Sequence, residues 1–245
     1  MTRLPIGLLC LVPVTLDGQP QDPPPLFKLY SRTATYYYQK PDPTLGPKML
    51  AELLKKENLE HQAFVRNDQL HLLIGAQLGD IATGHPEIVR QYESAMADAP
   101  PKGRRVIIRA LTNAGDKETV KVVAGWIKDP RFADQKAELE ALKAHIEDPK
   151  RAHARDVPAK APKDLDLLWV NFMVTGEYAP VSRILDVFDL PDDKENEVLK
   201  RVARWSFGSN VQQHPKLVEL VLKHKKDRPA GSQKVIDETI IIPKK

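Results

Sequence analysis

The sequence predicts an all-α protein, and three observations lead to this class. Apolar residues recur with helical spacing along the chain, glycine or proline separates the periodic segments, and no long alternation of apolar and polar residues competes with them. The composition agrees with a folded protein, since 42% of the residues are hydrophobic and 29% are charged. Only the tail, residues 235–245, fits a short strand as well as a terminal helix.

The clearest structural unit lies in residues 163–188. Apolar residues on both sides of Gly176 follow the i, i+3, i+4, i+7 spacing of one helix face, namely Leu165, Leu168, Trp169, Phe172 and Met173 before it and Val181, Ile184, Leu185 and Phe188 after it. Glycine readily takes the left-handed conformation that ends many helices. The segment is therefore predicted to be a pair of helices joined by a short turn.

The same arrangement recurs around Gly84, Gly115 and Gly208, and a further pair is predicted on the two sides of Pro41 and Pro43. The intervals between the glycines are roughly 30 residues, with one about twice as long, which is the spacing of helical repeats. A single helix pair cannot bury both of its apolar faces, whereas stacked pairs form a continuous core. We predict an irregular α-solenoid of about four to five helix pairs; the alternative is a non-repetitive helical bundle.

This pattern resembles HEAT- or TPR-type helical repeats. Through its leader, the segment TATYYY at residues 33–38 and the hairpin D-L-L-W…T-G at residues 166–176, the chain also resembles exported α-helical bacterial proteins of unassigned function. The resemblance implies a helical fold and export, and it implies no chemistry.

Residues 1–21 are predicted to be a signal peptide and the start of a linker. Arg3 precedes an apolar run from Leu4 to Leu16, which has the length of a signal-peptide core, and a polar, proline-rich segment follows. The alternative is a buried first element of a cytosolic protein. Cys10, the single cysteine, lies in this run, so a chain without its leader has no thiol and no predicted transmembrane span.

Residues 22–245 are then predicted to form a single α-helical repeat domain with a charged insertion at residues 131–164. A narrow apolar stripe of Leu139, Leu142 and Ile146 predicts an extra helix in the first half of this insertion. A loop is predicted near Pro158 and Pro162.

The sequence predicts no catalytic, cofactor-binding or metal-binding residue. It has no H-E-x-x-H, Walker A, G-x-G-x-x-G or G-x-S-x-G pattern, and its histidines lack zinc-site spacing. His85 and His214 each precede a proline at a predicted helix start, where we interpret them as turn residues. Asp189, Asp192 and Asp193 are interpreted as capping the helix that follows them.

The most unusual local composition is Tyr36, Tyr37 and Tyr38. Three consecutive residues cannot share one helix face, so at least one ring is expected at the surface, where tyrosine suits recognition. We predict a possible interaction surface at these three residues; the alternative is that they pack the first helix onto the next pair. The three tryptophans are predicted to lie in the core because they occupy apolar helix faces.

These observations favour a non-enzymatic, helical-repeat module that binds a protein or peptide and is exported to the cell envelope, either periplasmic or secreted. The alternatives are an envelope hydrolase with a dispersed active site and a cytosolic nucleic-acid-binding protein. A net charge of only +4, with dispersed basic residues, disfavours nucleic acid as the partner.

Overall fold

The computed structural model describes residues 25–65, 67–151, 153 and 156–241, and every regular element in these ranges is helical, which confirms the predicted all-α class. The first half contains α1 (Pro25–Tyr36), α2 (Leu45–Leu53), α3 (Lys56–Leu59), α4 (Gln62–Val65), α5 (Asp68–Ala82), α6 (Pro86–Asp98), α7 (Pro101–Ala114), α8 (Lys117–Lys128) and α9 (Lys136–Glu147). The second half contains α10 (Pro162–Thr175), α11 (Tyr178–Asp186), α12 (Lys194–Val211), α13 (Pro215–His224) and α14 (Ala230–Thr239). Short 3₁₀ turns cover Tyr37–Gln39, Pro130–Gln135, Val187–Asp189 and Lys225–Asp227.

The predictions for the two ends of the chain have different outcomes. The predicted signal peptide, residues 1–21, lies outside the described residues. Residues 235–239 of the tail lie in α14, so the helical alternative is the observed one for this part of the segment, and residues 242–245 lie outside the described residues. In the part of the chain that the structure describes, no helix has both the length and the apolar character needed to cross a bilayer.

Three of the four predicted glycine turns have the expected backbone. Gly84, Gly115 and Gly176 have φ values of 77°, 51° and 65°, in the left-handed region. At the end of α10, the N–H of Gly176 donates to the carbonyl oxygen of Phe172 at 2.7 Å. The predicted helix pairs around these glycines are therefore present.

The predicted break at Gly208 is wrong. Helix α12 continues through Gly208 to Val211, and the turn comes at Gln212, ahead of Pro215. A glycine inside a helix costs only about 1 kcal/mol relative to alanine, which the burial of Phe207 on the same helix offsets.

The predicted apolar face of α12, which comprises Val198, Leu199, Val202 and Trp205, is confirmed for Leu199 and wrong for two other members. Trp205 is 53% exposed and Val198 is 47% exposed. The buried face instead comprises Leu199, Ala203, Ser206, Phe207 and Asn210. Apolar spacing did not reveal this buried face because two of its residues, Ser206 and Asn210, are polar. Both are satisfied within their own helix, since Ser206 donates to the Ala203 carbonyl at 3.0 Å and Asn210 donates to the Ser206 carbonyl at 2.9 Å.

In the first half of the chain, consecutive helix pairs pack beside one another. Helix α5 packs against α7, α2 packs against α6, and α6 packs against α8. Helix α9, the extra helix predicted in the charged insertion, packs against α8 and buries Leu139, Leu142 and Ile146. In the second half of the chain, α10 packs against α12 and α11 packs against α13 in the same way.

The next pair does not continue the first stack. Helix α10 follows α9 in the chain, yet it packs against α1 and α5, near the beginning of the first half. Its buried residues cover most of its circumference and are Leu165, Leu168, Trp169, Val170, Asn171, Phe172, Met173 and Val174. Val170 belongs to the hydrophobic cluster of the first half, whereas Phe172 belongs to that of the second half. Helix α10 therefore joins two hydrophobic clusters.

We expect Phe172→Ala to destabilise the protein by about 3–5 kcal/mol, the usual cost of truncating a buried aromatic side chain. Phe172 is fully buried and its ring centroid lies 5.3 Å from that of Tyr38 and 6.1 Å from that of Trp169. Urea denaturation measures the change. Gln91→Ala, on the exposed side of α6, is the control and should change stability by about 0.5 kcal/mol or less. An unchanged midpoint for Phe172→Ala would contradict the burial of this ring.

A second prediction separates backbone strain from packing at the turn after α10. Gly84→Ala should cost about 1–2 kcal/mol, because an added Cβ is disfavoured at its positive φ but meets nothing within 4 Å. Gly176→Ala should cost about 1 kcal/mol more, because its Cβ would lie 3.1 Å from the Cβ of Tyr38.

Gly125→Ala is the matched control for these two substitutions. Gly125 lies on the exposed side of α8 with nothing within 4 Å of an added Cβ, so alanine there should stabilise by up to about 1 kcal/mol. All three are compared by urea denaturation. Equal losses for Gly84→Ala and Gly176→Ala would show that Tyr38 does not pack tightly on the turn.

Candidate functional site

The predicted tyrosine surface divides into three environments. Helix α1 ends at Tyr36, and the 3₁₀ turn that follows rotates the next two side chains away from it. Tyr36 is 42% exposed, Tyr38 is half-buried, and Tyr37 is only 6% exposed in a small cluster with Leu45 and Val174. Tyr37 therefore packs in the core, as the packing alternative expected, and an interaction surface at these tyrosines stays a prediction.

Tyr38 and His214 meet although they are distant in sequence. The hydroxyl of Tyr38 lies 3.1 Å from Nδ1 of His214, and the ring centroids of Tyr36 and His214 are 5.0 Å apart. Phe172 closes the cluster from α10, with its centroid 6.2 Å from that of His214. The predicted turn position of His214 is confirmed, since it directly precedes α13, but residue spacing did not indicate its aromatic partners.

The aromatic cluster keeps His214 neutral. The imidazole is fully buried, and its Nε2 has no hydrogen-bond partner among the described residues. Desolvation by burial lowers the pKa of His214 from 6.5 to about 4. A neutral imidazole enclosed by rings serves to pack the two halves of the chain together, so we assign this cluster a structural role.

A more exposed candidate site lies on α12. One side of this helix faces the core, and the opposite side presents Trp205 and Val198 to solvent. Tryptophan is the residue most often found at the energetic centre of protein interfaces. This face is adjacent to a groove between α12, α14 and the turn that joins α11 to α12.

The groove has a volume of about 570 Å³ and an apolar floor with a basic rim. Its floor is formed by Phe188, Leu190 and Val235, and its rim by Lys200, Arg201, Arg204 and Lys234. Because successive helical residues are rotated by about 100°, Arg201 lies between the groove and Trp205 on the surface of α12. The groove and the exposed tryptophan thus form one continuous surface, which we call the α12 surface.

Two acidic residues line the groove, and each is held by an ion pair or a hydrogen bond within the protein. Asp192 pairs with Lys200 at 2.6 Å, and this hydrogen bond, together with the charge of Lys200, lowers the pKa of Asp192. Asp189 accepts from the backbone N–H of Ser232 at 3.0 Å, so it caps α14 rather than the helix that follows it in sequence. Of the three aspartates predicted to cap α12, Asp193 does so, accepting from the N–H of Asn196 at 2.9 Å.

A polar network holds α14 against the groove floor. The guanidinium of Arg228, only 10% exposed, donates to Ser182 at 2.8 Å and also to Asp186 on α11. Gly231 permits the close approach, since an added Cβ would lie 2.6 Å from Oδ1 of Asp189 and 2.7 Å from the carbonyl oxygen of Phe188. The shape of the groove therefore depends on contacts between residues about 40 positions apart.

Within the ranges that the structure describes, no group of three or more His, Cys, Asp or Glu side chains is placed to hold a metal ion. Burial raises the pKa of Asp166 on α10 to about 6. Its environment includes the buried Tyr30.

Comparison of the chain with known protein families, with curated proteins and with solved structures returns no significant match.

The neutral state of His214 gives a pH prediction. Its folded-state pKa is lowered, so the unfolded chain binds the proton more readily, and stability is lost as pH falls from about 6.5 towards 4. Glutamine stays neutral at every pH, so we expect His214→Gln to remove the loss of stability that comes from protonation of His214. The difference in unfolding free energy between wild type and variant should therefore shrink by on the order of 1–2 kcal/mol between pH 7 and pH 4.5.

Urea denaturation of both proteins at the two pH values measures this difference. Asp166 titrates in the opposite sense, because its raised pKa makes the folded state bind a proton more readily as pH falls through about 6. That contribution is common to both proteins and cancels in the difference. A difference that stays the same at both pH values would contradict the neutral burial of His214.

Proposed function

We propose that this protein is a non-enzymatic module that binds a protein or peptide through the α12 surface. The observation that carries the proposal is the exposure of Trp205 and Val198 on a helix whose other side is in the core. An exposed tryptophan offers a large apolar area with little conformational freedom to lose on binding. The adjoining groove supplies a concave apolar floor beside it.

The helical architecture supports the same function. Consecutive pairs pack side by side within each half of the chain, as they do in helical-repeat proteins, which bind partners on extended surfaces. We propose that the chain is an irregular α-solenoid whose regular stacking is interrupted where α10 packs back on α1 and α5. A non-repetitive bundle would describe the junction at α10, whereas the helix pairs on either side of it pack as in a solenoid.

We also propose export to the cell envelope, periplasmic or secreted. The proposal is supported by Arg3, the apolar run from Leu4 to Leu16 and the polar, proline-rich segment after it. N-terminal sequencing of the protein recovered from a bacterial envelope fraction tests it, since an intact Met1 in the cytoplasm would contradict export.

The binding proposal predicts that Trp205→Ala weakens peptide binding by tenfold or more, the loss of about 1.4 kcal/mol or more that defines an important interface residue. The full chain is panned against a displayed library of random twelve-residue peptides, and the affinities of the enriched peptides are measured by fluorescence anisotropy. Circular dichroism of the variant confirms that its helices are retained.

Val157→Ala is the matched control for Trp205→Ala. Val157 is 45% exposed and does not line the groove, so its truncation should leave peptide affinity within about twofold of wild type. A library that yields no binder, or binders insensitive to Trp205→Ala, would contradict the proposal.

A further inference from the structure

We infer that the partner of the α12 surface is an acidic peptide segment with interspersed apolar residues. The inference rests on the proposed binding function and adds the chemistry of the partner. It is carried by the excess of basic over acidic residues in the groove lining, four against two, and by the apolar floor between them.

The first step concerns which basic residues are available. Lys234 on α14 has no carboxylate partner within the described ranges, although it is close enough to contribute to the lowered pKa of Asp192. Arg201 has only a marginal ion pair with Glu197, at 4.0 Å between two side chains that are 70% and 69% exposed. Exposed pairs of this kind contribute little and exchange readily for another carboxylate. Lys234, and Arg201 by exchange of this exposed pair, are thus available to an anionic partner on two different helices that line the groove.

The second step concerns the other two basic residues. Arg204 pairs with Glu238 at 2.6 Å, and Lys200 pairs with Asp192 at 2.6 Å. Both carboxylates belong to exposed side chains, so a partner carboxylate can share these cations. The groove lining contains four basic and two acidic residues, and this excess of positive charge favours a partner with carboxylates.

The third step distinguishes a peptide from a polyphosphate. Acidic side chains, Asp189 and Asp192 in the lining and Glu197 and Glu238 at the rim, alternate with the basic ones. A uniformly charged phosphate backbone would meet these carboxylates, whereas a peptide can place an apolar side chain or an amide there. The floor of Phe188, Leu190 and Val235 fits aliphatic or aromatic side chains between the acidic residues of such a segment.

The test pans the same random twelve-residue library against the wild-type full chain and against Arg201→Glu/Lys234→Glu. Both positions are exposed, so the fold should be retained, and circular dichroism checks this. We expect wild-type binders to be enriched in Asp and Glu together with apolar residues. Replacing the acidic residues of the tightest binder by Gln or Asn should weaken it at least about tenfold, and the double variant should lose it to the same extent.

Lys102→Glu/Lys117→Glu is the matched control. It changes the net charge equally at two exposed positions on α7 and α8, away from the groove, and should change affinity by about twofold or less. Raising the salt concentration from about 0.05 to 0.5 M should weaken the wild-type complex, since exposed charges are screened.

The outcomes separate this inference from the proposed function. Binders that depend on Trp205 but are not acidic, or that bind the double variant equally well, would overturn the acidic partner and leave the binding function standing. A library without binders would overturn both. Tighter, groove-dependent binding of oligo(dT) or of phosphatidylglycerol vesicles than of the acidic peptides would also overturn the inference, in favour of nucleic acid or membrane respectively.

Discussion

The structure depends on the burial of α10 on nearly all sides. A helix that is apolar around its circumference cannot lie on the surface of a stack, because one of its faces would remain in water. Helix α10 meets this constraint by packing against α1 and α5 on one side and against α11 and α12 on the other. The single internal asparagine, Asn171, is tolerated because its amide donates to the Leu167 carbonyl of the same helix at 3.0 Å.

The junction formed by α10 has an electrostatic consequence. The aromatic rings that close it, from Tyr36, Tyr38 and Phe172, also enclose His214 and exclude water from its imidazole. Desolvation then disfavours the charged form, and the Tyr38 hydroxyl satisfies only one ring nitrogen. Packing of the two halves is therefore coupled to the protonation state of one residue.

The α12 surface follows from how the second half completes its own core. Helix α12 contributes the face that contains Leu199, Ala203 and Phe207 to this core, and Trp205 on the opposite side remains 53% exposed. The Arg228 network then fixes α14 beside α12 and leaves a groove between them. Apolar area and an excess of basic side chains are thus placed side by side on one surface.

The sequence by itself determined the helical class, three left-handed glycine turns and the apolar stripes of most helices. These are local properties, set by residue spacing and by the backbone freedom of glycine at positions such as Gly176. It also indicated the extra helix α9 and the absence of a recognisable catalytic motif.

Tertiary structure alone decided which face of α12 is buried, that α10 returns to α1, and that His214 meets Tyr38 across 176 positions. The pattern of α12 misled because Ser206 and Asn210 satisfy their hydrogen bonds within the helix and so can enter the core, while Trp205 stays 53% exposed. Such choices depend on the free energy of packing whole helices against one another, and residue spacing along one helix does not contain that information.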